Sequence, residues 1–133
     1  MNFSGTVLVV DDEAHIRKYV SLILKSLGIT SIVEAPNGLE AVTAYQREKA
    51  DLVLLDVNMP QIDGIETLKR LKAIDPDAVV VMLTSLVNRQ TIEQALDLGA
   101  ANYIRKDTPK DEIAKSLSET ISACFEPQEP NTP

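Results

Sequence analysis

The sequence predicts an α/β fold, a doubly wound five-stranded parallel sheet with five helices. Three observations carry that prediction. Short β-branched apolar runs recur along the chain, longer amphipathic stretches separate them, and turn residues punctuate most of the junctions. Parallel strands need crossover connections, and right-handed crossovers place helices on both faces of the sheet.

Thr6-Val7-Leu8-Val9-Val10 is too short for a helix and apolar throughout, which predicts a buried strand. Ile16, Val20, Ile23, Leu24 and Leu27 then recur at spacings of three and four, a helix that Gly28 stops. Ser31 to Ala35 is a second, more ambiguous strand, and Pro36-Asn37-Gly38 separates it from a helix running to about Lys49. Leu52 to Leu55 forms the third strand and ends in Asp56. The turn-rich Asn58-Met59-Pro60-Gln61-Ile62-Asp63-Gly64 leads into a helix marked by Ile65, Leu68 and Leu71, closed before Asp75-Pro76. Ala78 to Leu83 is the fourth strand. Ile92, Ala95 and Leu96 mark a helix ending at Gly99, and Ala101 to Ile104 is a short fifth strand. Ile113, Leu117, Ile121 and Cys124 form the apolar stripe of the last helix, with Cys124 expected as a small buried or half-buried residue.

The chain has 133 residues, 44% apolar and 25% charged, which is one soluble globular domain. We expect that domain over residues 1–125, followed by a flexible Pro-rich tail or linker start over 126–133. No apolar run is long enough to span a bilayer and no leader pattern opens the chain, so the expected location is cytoplasmic. A net charge of −7 argues against direct binding to nucleic acid or to an anionic membrane. The single cysteine has no partner for a disulfide or a metal cage.

In an open α/β sheet, ligands bind beyond the carboxyl ends of the strands. Strand one delivers Asp11-Asp12 to that edge, strand three Asp56, strand four Thr84 and Ser85, and strand five Lys106. Each has an ordinary structural reading on its own. Asp12, Thr84 or Ser85 reads as a helix cap, Asp56 as a strand terminator, and Lys106 as a solvated surface lysine. Together they read differently. Three carboxylates in one crevice repel each other and raise one another's pKa values unless a cation sits among them. A hard divalent ion with oxygen ligands, such as Mg²⁺, removes that cost. Lys106 and the Thr84 hydroxyl would then hold a phosphoryl group, which makes the set an aspartyl-phosphate site.

At these residues the chain resembles the receiver domains of response regulators, the CheY-like phosphoacceptors of two-component signalling. The matching motifs are Asp11-Asp12-Glu13, Leu55-Asp56-Val57-Asn58-Met59-Pro60 with Asp63-Gly64, Leu83-Thr84-Ser85, and Gly99 to Lys106. The resemblance covers Thr6 to about Phe125 and implies the strand order 2-1-3-4-5. It implies that Asp56 is the phosphoacceptor and that Asp12, Asp56 and the Asn58 backbone carbonyl bind Mg²⁺, or Mn²⁺ in its place, with Asp11 acting through a water. Thr84 and Lys106 would contact the phosphoryl group, Ser85 would leave it room, and Tyr103 would be the switch aromatic that follows Thr84. Asn58 and Leu86 would flank the water path that sets phosphoryl lifetime. Met59, Pro60 and Gly64 would shape the loop, and His15 would be a partly exposed helix residue without a proton-transfer role.

The implied partners are a histidine kinase or phosphotransfer protein upstream and an effector protein downstream. The effector would meet the face built by the fourth helix, fifth strand and fifth helix. The expected state is a monomer or a weak phosphorylation-dependent dimer, not an enzyme beyond its own phosphorylation and dephosphorylation. One departure stands out. Asp107 occupies a place where many receivers carry proline after a cis peptide, so a trans Lys106–Asp107 bond is expected and the loop Lys106-Asp107-Thr108-Pro109 would run differently. Lys-Asp here also resembles receivers joined to NarL-type DNA-binding effectors, which leaves a longer regulator as the alternative to the favoured stand-alone form. The phenylalanine and basic residues of an OmpR-type dimer face are missing. A haloacid-dehalogenase phosphatase would need its nucleophile after strand one, and a flavodoxin-like binder would need a glycine-rich phosphate loop there.

Overall fold

The computed structural model describes residues 3–85 and 88–125. Leu86 and the 126–133 tail lie outside the described residues. Strands β1 (Val7–Val10), β2 (Ile32–Ala35), β3 (Leu52–Leu55), β4 (Val79–Thr84) and β5 (Asn102–Arg105) alternate with helices α1 (Ala14–Ser26), α2 (Gly38–Glu48), α3 (Gly64–Ile74), α4 (Arg89–Asp97) and α5 (Lys110–Phe125). All strand pairs are parallel, and the order is β2-β1-β3-β4-β5. Topology and element order match the expectation, and strand ends differ from it by one residue. Thr84 closes β4 as its last paired residue, opposite Arg105.

The central strands are buried on both sides, which is why β1 and β3 carry no polar residue. Their side chains alternate between two apolar layers. Val7, Val9, Leu54, Val81 and Leu83 pack with Val20, Ile23 and Leu24 of α1 and Ile113, Leu117 and Ile121 of α5. Leu8, Val10, Val53, Leu55, Val80 and Met82 pack with Ala41 of α2, Leu68 and Leu71 of α3 and Ala95 of α4. The helix starts follow their local chemistry. Asn37 accepts a hydrogen bond from the Glu40 N–H at 2.9 Å, and Asp63 accepts one from Glu66 at 2.9 Å. Gly28 and Gly99 take the left-handed conformation past the ends of α1 and α4, at φ 85° and 98°.

Two expectations fail. Cys124 is exposed, although it continues the spacing of Ile113, Leu117 and Ile121. The inward line of α5 runs on from Ile121 to the half-buried Phe125, which packs against the same layer and leaves Cys124 to one side. Leu96 is 47% exposed. The inward line of α4 is Ala95 with Leu98, and Leu96 lies about 100° round the helix from Ala95.

Candidate functional site

Three strand ends deliver the site. Asp11 follows β1 and its N–H donates to the Ala35 carbonyl at 3.2 Å; Asp56 follows β3 and donates to the Val10 carbonyl at 3.1 Å. Sheet-type bonding thus continues one residue past each strand and fixes both acids at the carboxyl edge. Asp11 and Asp56 are each 3% exposed, while Asp12 is exposed to solvent. Carboxylate oxygens of Asp11, Asp12 and Asp56 all lie within 4.8 Å of one another.

Asp12 does not cap α1. Glu13 occupies that position without a side-chain cap bond, and Asp11 Oδ1 accepts the Glu13 N–H at 2.9 Å instead. Both capping alternatives for Thr84 and Ser85 also fall away, since Asn88 caps α4 through Gln90 and Thr91. Thr84 is fully buried at the end of β4, and Ser85 beside it is exposed.

Lys106 enters the crevice. Its Nζ lies 2.5 Å from Asp11 Oδ2 and donates to Asp56 Oδ2 at 3.0 Å. The loop holds it there without proline. The Lys106 N–H donates to the Thr84 carbonyl at 3.0 Å and Thr108 closes a turn onto Arg105 at 3.1 Å. Outside, Arg105 Nε and Nη2 donate to the two carboxylate oxygens of Asp107 at 3.0 and 2.6 Å, so the residues flanking Lys106 clasp each other. No cis peptide occurs among the described residues, in line with the trans bond expected before Asp107.

The electrostatics follow from one ammonium serving two buried carboxylates. Burial pulls the Lys106 pKa down, but the hydrogen bonds and charges of Asp11 and Asp56 outweigh it and leave the pKa raised. Burial pushes the Asp11 carboxyl up, and Asp56 adds to this; Lys106 and the Glu13 N–H offset it only in part. Asp56 Oδ1 is buried without a hydrogen-bond partner. An orphaned carboxylate oxygen among three acids is the donor set that a hard cation fits.

Tyr103 sits half-buried on β5 opposite Met82 and packs against the α2–α3–α4 layer. Burial first, and the Asp56 charge second, raise its pKa. Asn58 lies on the exposed side of the loop after β3. His15 is exposed on α1, its Nε2 3.2 Å from Glu13 Oε2 and away from the crevice.

Two contributors escaped sequence reasoning. Gly64 was assigned to loop shape, yet a Cβ there would lie 2.1 Å from the Asp56 backbone oxygen. The bare α-carbon lets the start of α3 press on the acceptor segment, where the Gly64 N–H also donates to Val57 at 2.8 Å. Arg17 belongs to none of the motifs above, yet its Nη1 donates to the Asp11 carbonyl at 2.7 Å and its Nε to Glu34 at 3.0 Å. A single arginine beside the apolar stripe of α1, one turn past an acidic pair, was the available signal.

Known proteins agree with this geometry. The response regulator receiver domain family model matches residues 7–118. The chain is 34% identical to chemotaxis protein CheY of Bacillus subtilis, over 87% of this chain and 97% of that one. It is 35% identical to sporulation initiation phosphotransferase F of the same organism, over 86% and 92%. Among solved structures, a CheX–CheY–BeF3–Mg complex from Borrelia burgdorferi matches with TM-score 0.82 and 30% identity, over 92% of this chain and 90% of that one. No helix among the described residues is long and apolar enough to cross a membrane. With the sheet order, the acidic crevice and the lysine after β5 in place, the chain belongs to the response regulator receiver domains, the phosphoacceptor modules of two-component signalling.

Proposed function

We propose that Asp56 accepts a phosphoryl group from a phosphohistidine on a histidine kinase or phosphotransfer protein. The observation that carries this reading is the Lys106 ammonium bridging Asp11 and Asp56 while Asp56 Oδ1 has no partner. An Asp56 oxygen attacks phosphorus, a P–O bond forms as the P–N bond breaks, and the departing histidine nitrogen takes up a proton. Catalysis then comes from position and electrostatics. Asp11, Asp12, Asp56 and the Asn58 carbonyl would hold Mg²⁺ or Mn²⁺, which supplies charge neutralisation of acids and phosphoryl oxygens.

On phosphorylation Lys106 exchanges its carboxylate partner for a phosphoryl oxygen, and the Thr84 hydroxyl becomes a second donor. Both residues sit at the β4–β5 edge, so their shift reaches Tyr103 and the α4–β5–α5 face through one pair of strands. Phosphorylation thereby biases an equilibrium at that face and changes which effector protein it binds, with any self-association weak and phosphorylation-dependent. Substituting Asn58 changes the lifetime of the phosphoryl group more than the fold. The same reading puts the protein in the cytoplasm beside its phosphodonor, as a signalling module and not an enzyme acting on other molecules.

Beryllofluoride mimics an aspartyl phosphate and tests the site without a kinase. We expect ¹⁹F NMR to show a bound species only with Mg²⁺ present, absent in Asp56→Asn. A bound signal of equal size in that variant would overturn the assignment.

A further inference from the structure

We propose that Arg17 is a positioning residue for the acidic turn, bracing Asp11-Asp12 against β2 so that the crevice is shaped for a divalent cation. This rests on the reading of the crevice as a cation site. Arg17 lies one turn into α1, and its side chain is only 16% exposed. Its fork divides between two elements. Nη1 donates to the backbone carbonyl of Asp11 at 2.7 Å, and Nε to Glu34 Oε1 at 3.0 Å. Glu34 belongs to β2 and stands opposite Val9 of β1.

The contact falls where the turn needs it. Asp11 is held at four points: its N–H by Ala35, its Oδ1 by the Glu13 N–H, its Oδ2 by Lys106, and its carbonyl by Arg17. Of these, only the carbonyl contact fixes the peptide plane between Asp11 and Asp12, and with it the direction in which Asp12 leaves the turn. Asp12 itself is exposed. A planar guanidinium suits this task because its fork presents two donor atoms at fixed separation, whereas a lysine offers both partners a single nitrogen on a flexible stem.

Charge and position make opposite predictions, which is what makes the proposal decidable. As a charge alone, a cation beside the cluster opposes an incoming divalent cation, and removing it would tighten metal binding. As a brace, its removal loosens the turn and weakens metal binding. Supporting groups around metal ligands are worth roughly 10–100-fold in affinity.

The test is Mn²⁺ affinity by EPR at fixed ionic strength, on the full chain, with a thermal melt of each variant. Wild type should bind Mn²⁺ and Asp12→Asn should lose it; if wild type binds none, the cation-site reading itself fails. Arg17→Gln should bind about 10-fold more weakly or worse, and Arg17→Lys should fall between it and wild type. Glu34→Ala, which removes the acceptor at the far end of the brace and leaves α1 and the turn intact, should move affinity the same way by less. Wild-type or tighter Mn²⁺ binding in Arg17→Gln, or in Glu34→Ala should Arg17→Gln fail to fold, would overturn the proposal.

Discussion

Lys106 stands between two carboxylates that are nearly out of water, Asp11 and Asp56 at 3% exposure each. Substituting Lys106→Gln leaves both acids buried without their cation. We predict a loss of about 3 kcal/mol at neutral pH, measured by urea unfolding, shrinking as the pH falls and the acids protonate and shrinking again when Mg²⁺ is added. A loss independent of both would assign Lys106 a packing role instead. Tyr45 offers a pH test away from the site. Its hydroxyl donates to Asp75 Oδ2 at 3.0 Å, and burial first, then that bond, pushes its pKa from 10.0 up to about 12. The folded phenol therefore holds its proton more tightly than the unfolded one. Its contribution to stability is fully present below pH 10.0 and is lost as pH rises through about 12. An absorbance titration should show one tyrosine ionising in that upper range, and Tyr45→Phe should remove the phase and flatten the fall in stability.

At the scale of elements, two glycines separate space from conformation. Gly64 at the start of α3 has no room, with the Asp56 backbone oxygen 2.1 Å from a Cβ, whereas Gly28 after α1 has open space and φ 85°. Gly64→Ala should cost about 3 kcal/mol and disturb beryllofluoride binding, because α3 must move off the acceptor strand. Gly28→Ala should cost only the left-handed strain, about 1–2 kcal/mol, and leave binding intact. Equal binding in both variants would detach α3 from the acceptor's geometry. The α4 helix is the weakly held element: Ala95 is its one buried residue, against five in α3. Amide exchange should accordingly open α4 well before α3 and the central strands, the behaviour needed in an element whose position is to be switched. Protection of α4 equal to that of α3 would count against a mobile output face.

For the whole molecule, the sequence carried the topology because burial on both faces leaves β1, β3 and β4 as uninterrupted apolar runs, and crossover rules do the rest. The acids and lysine were legible for the same reason: strand ends define the crevice, so Asp11, Asp56 and Lys106 could be placed there without coordinates. What stayed hidden depended on helix rotation and on backbone contacts. Cys124 and Leu96 each stand beside an inward residue, Phe125 and Ala95, and apolar spacing alone does not say which of the two faces the sheet. Arg17 and Gly64 act on backbone atoms, a carbonyl in one case and a peptide plane in the other, and no side-chain pattern announces either. The missing proline after Lys106 made its path doubtful from sequence, and the Arg105–Asp107 clasp with the Lys106 N–H on Thr84 supplies the fixing that proline would have given. The central claim is that this geometry makes Asp56 a phosphoacceptor. Intact-mass analysis after incubation with acetyl phosphate addresses it most directly. The account predicts addition of one phosphoryl group to the wild-type chain with Mg²⁺, little without it, and none to Asp56→Asn; equal labelling of that variant would contradict it.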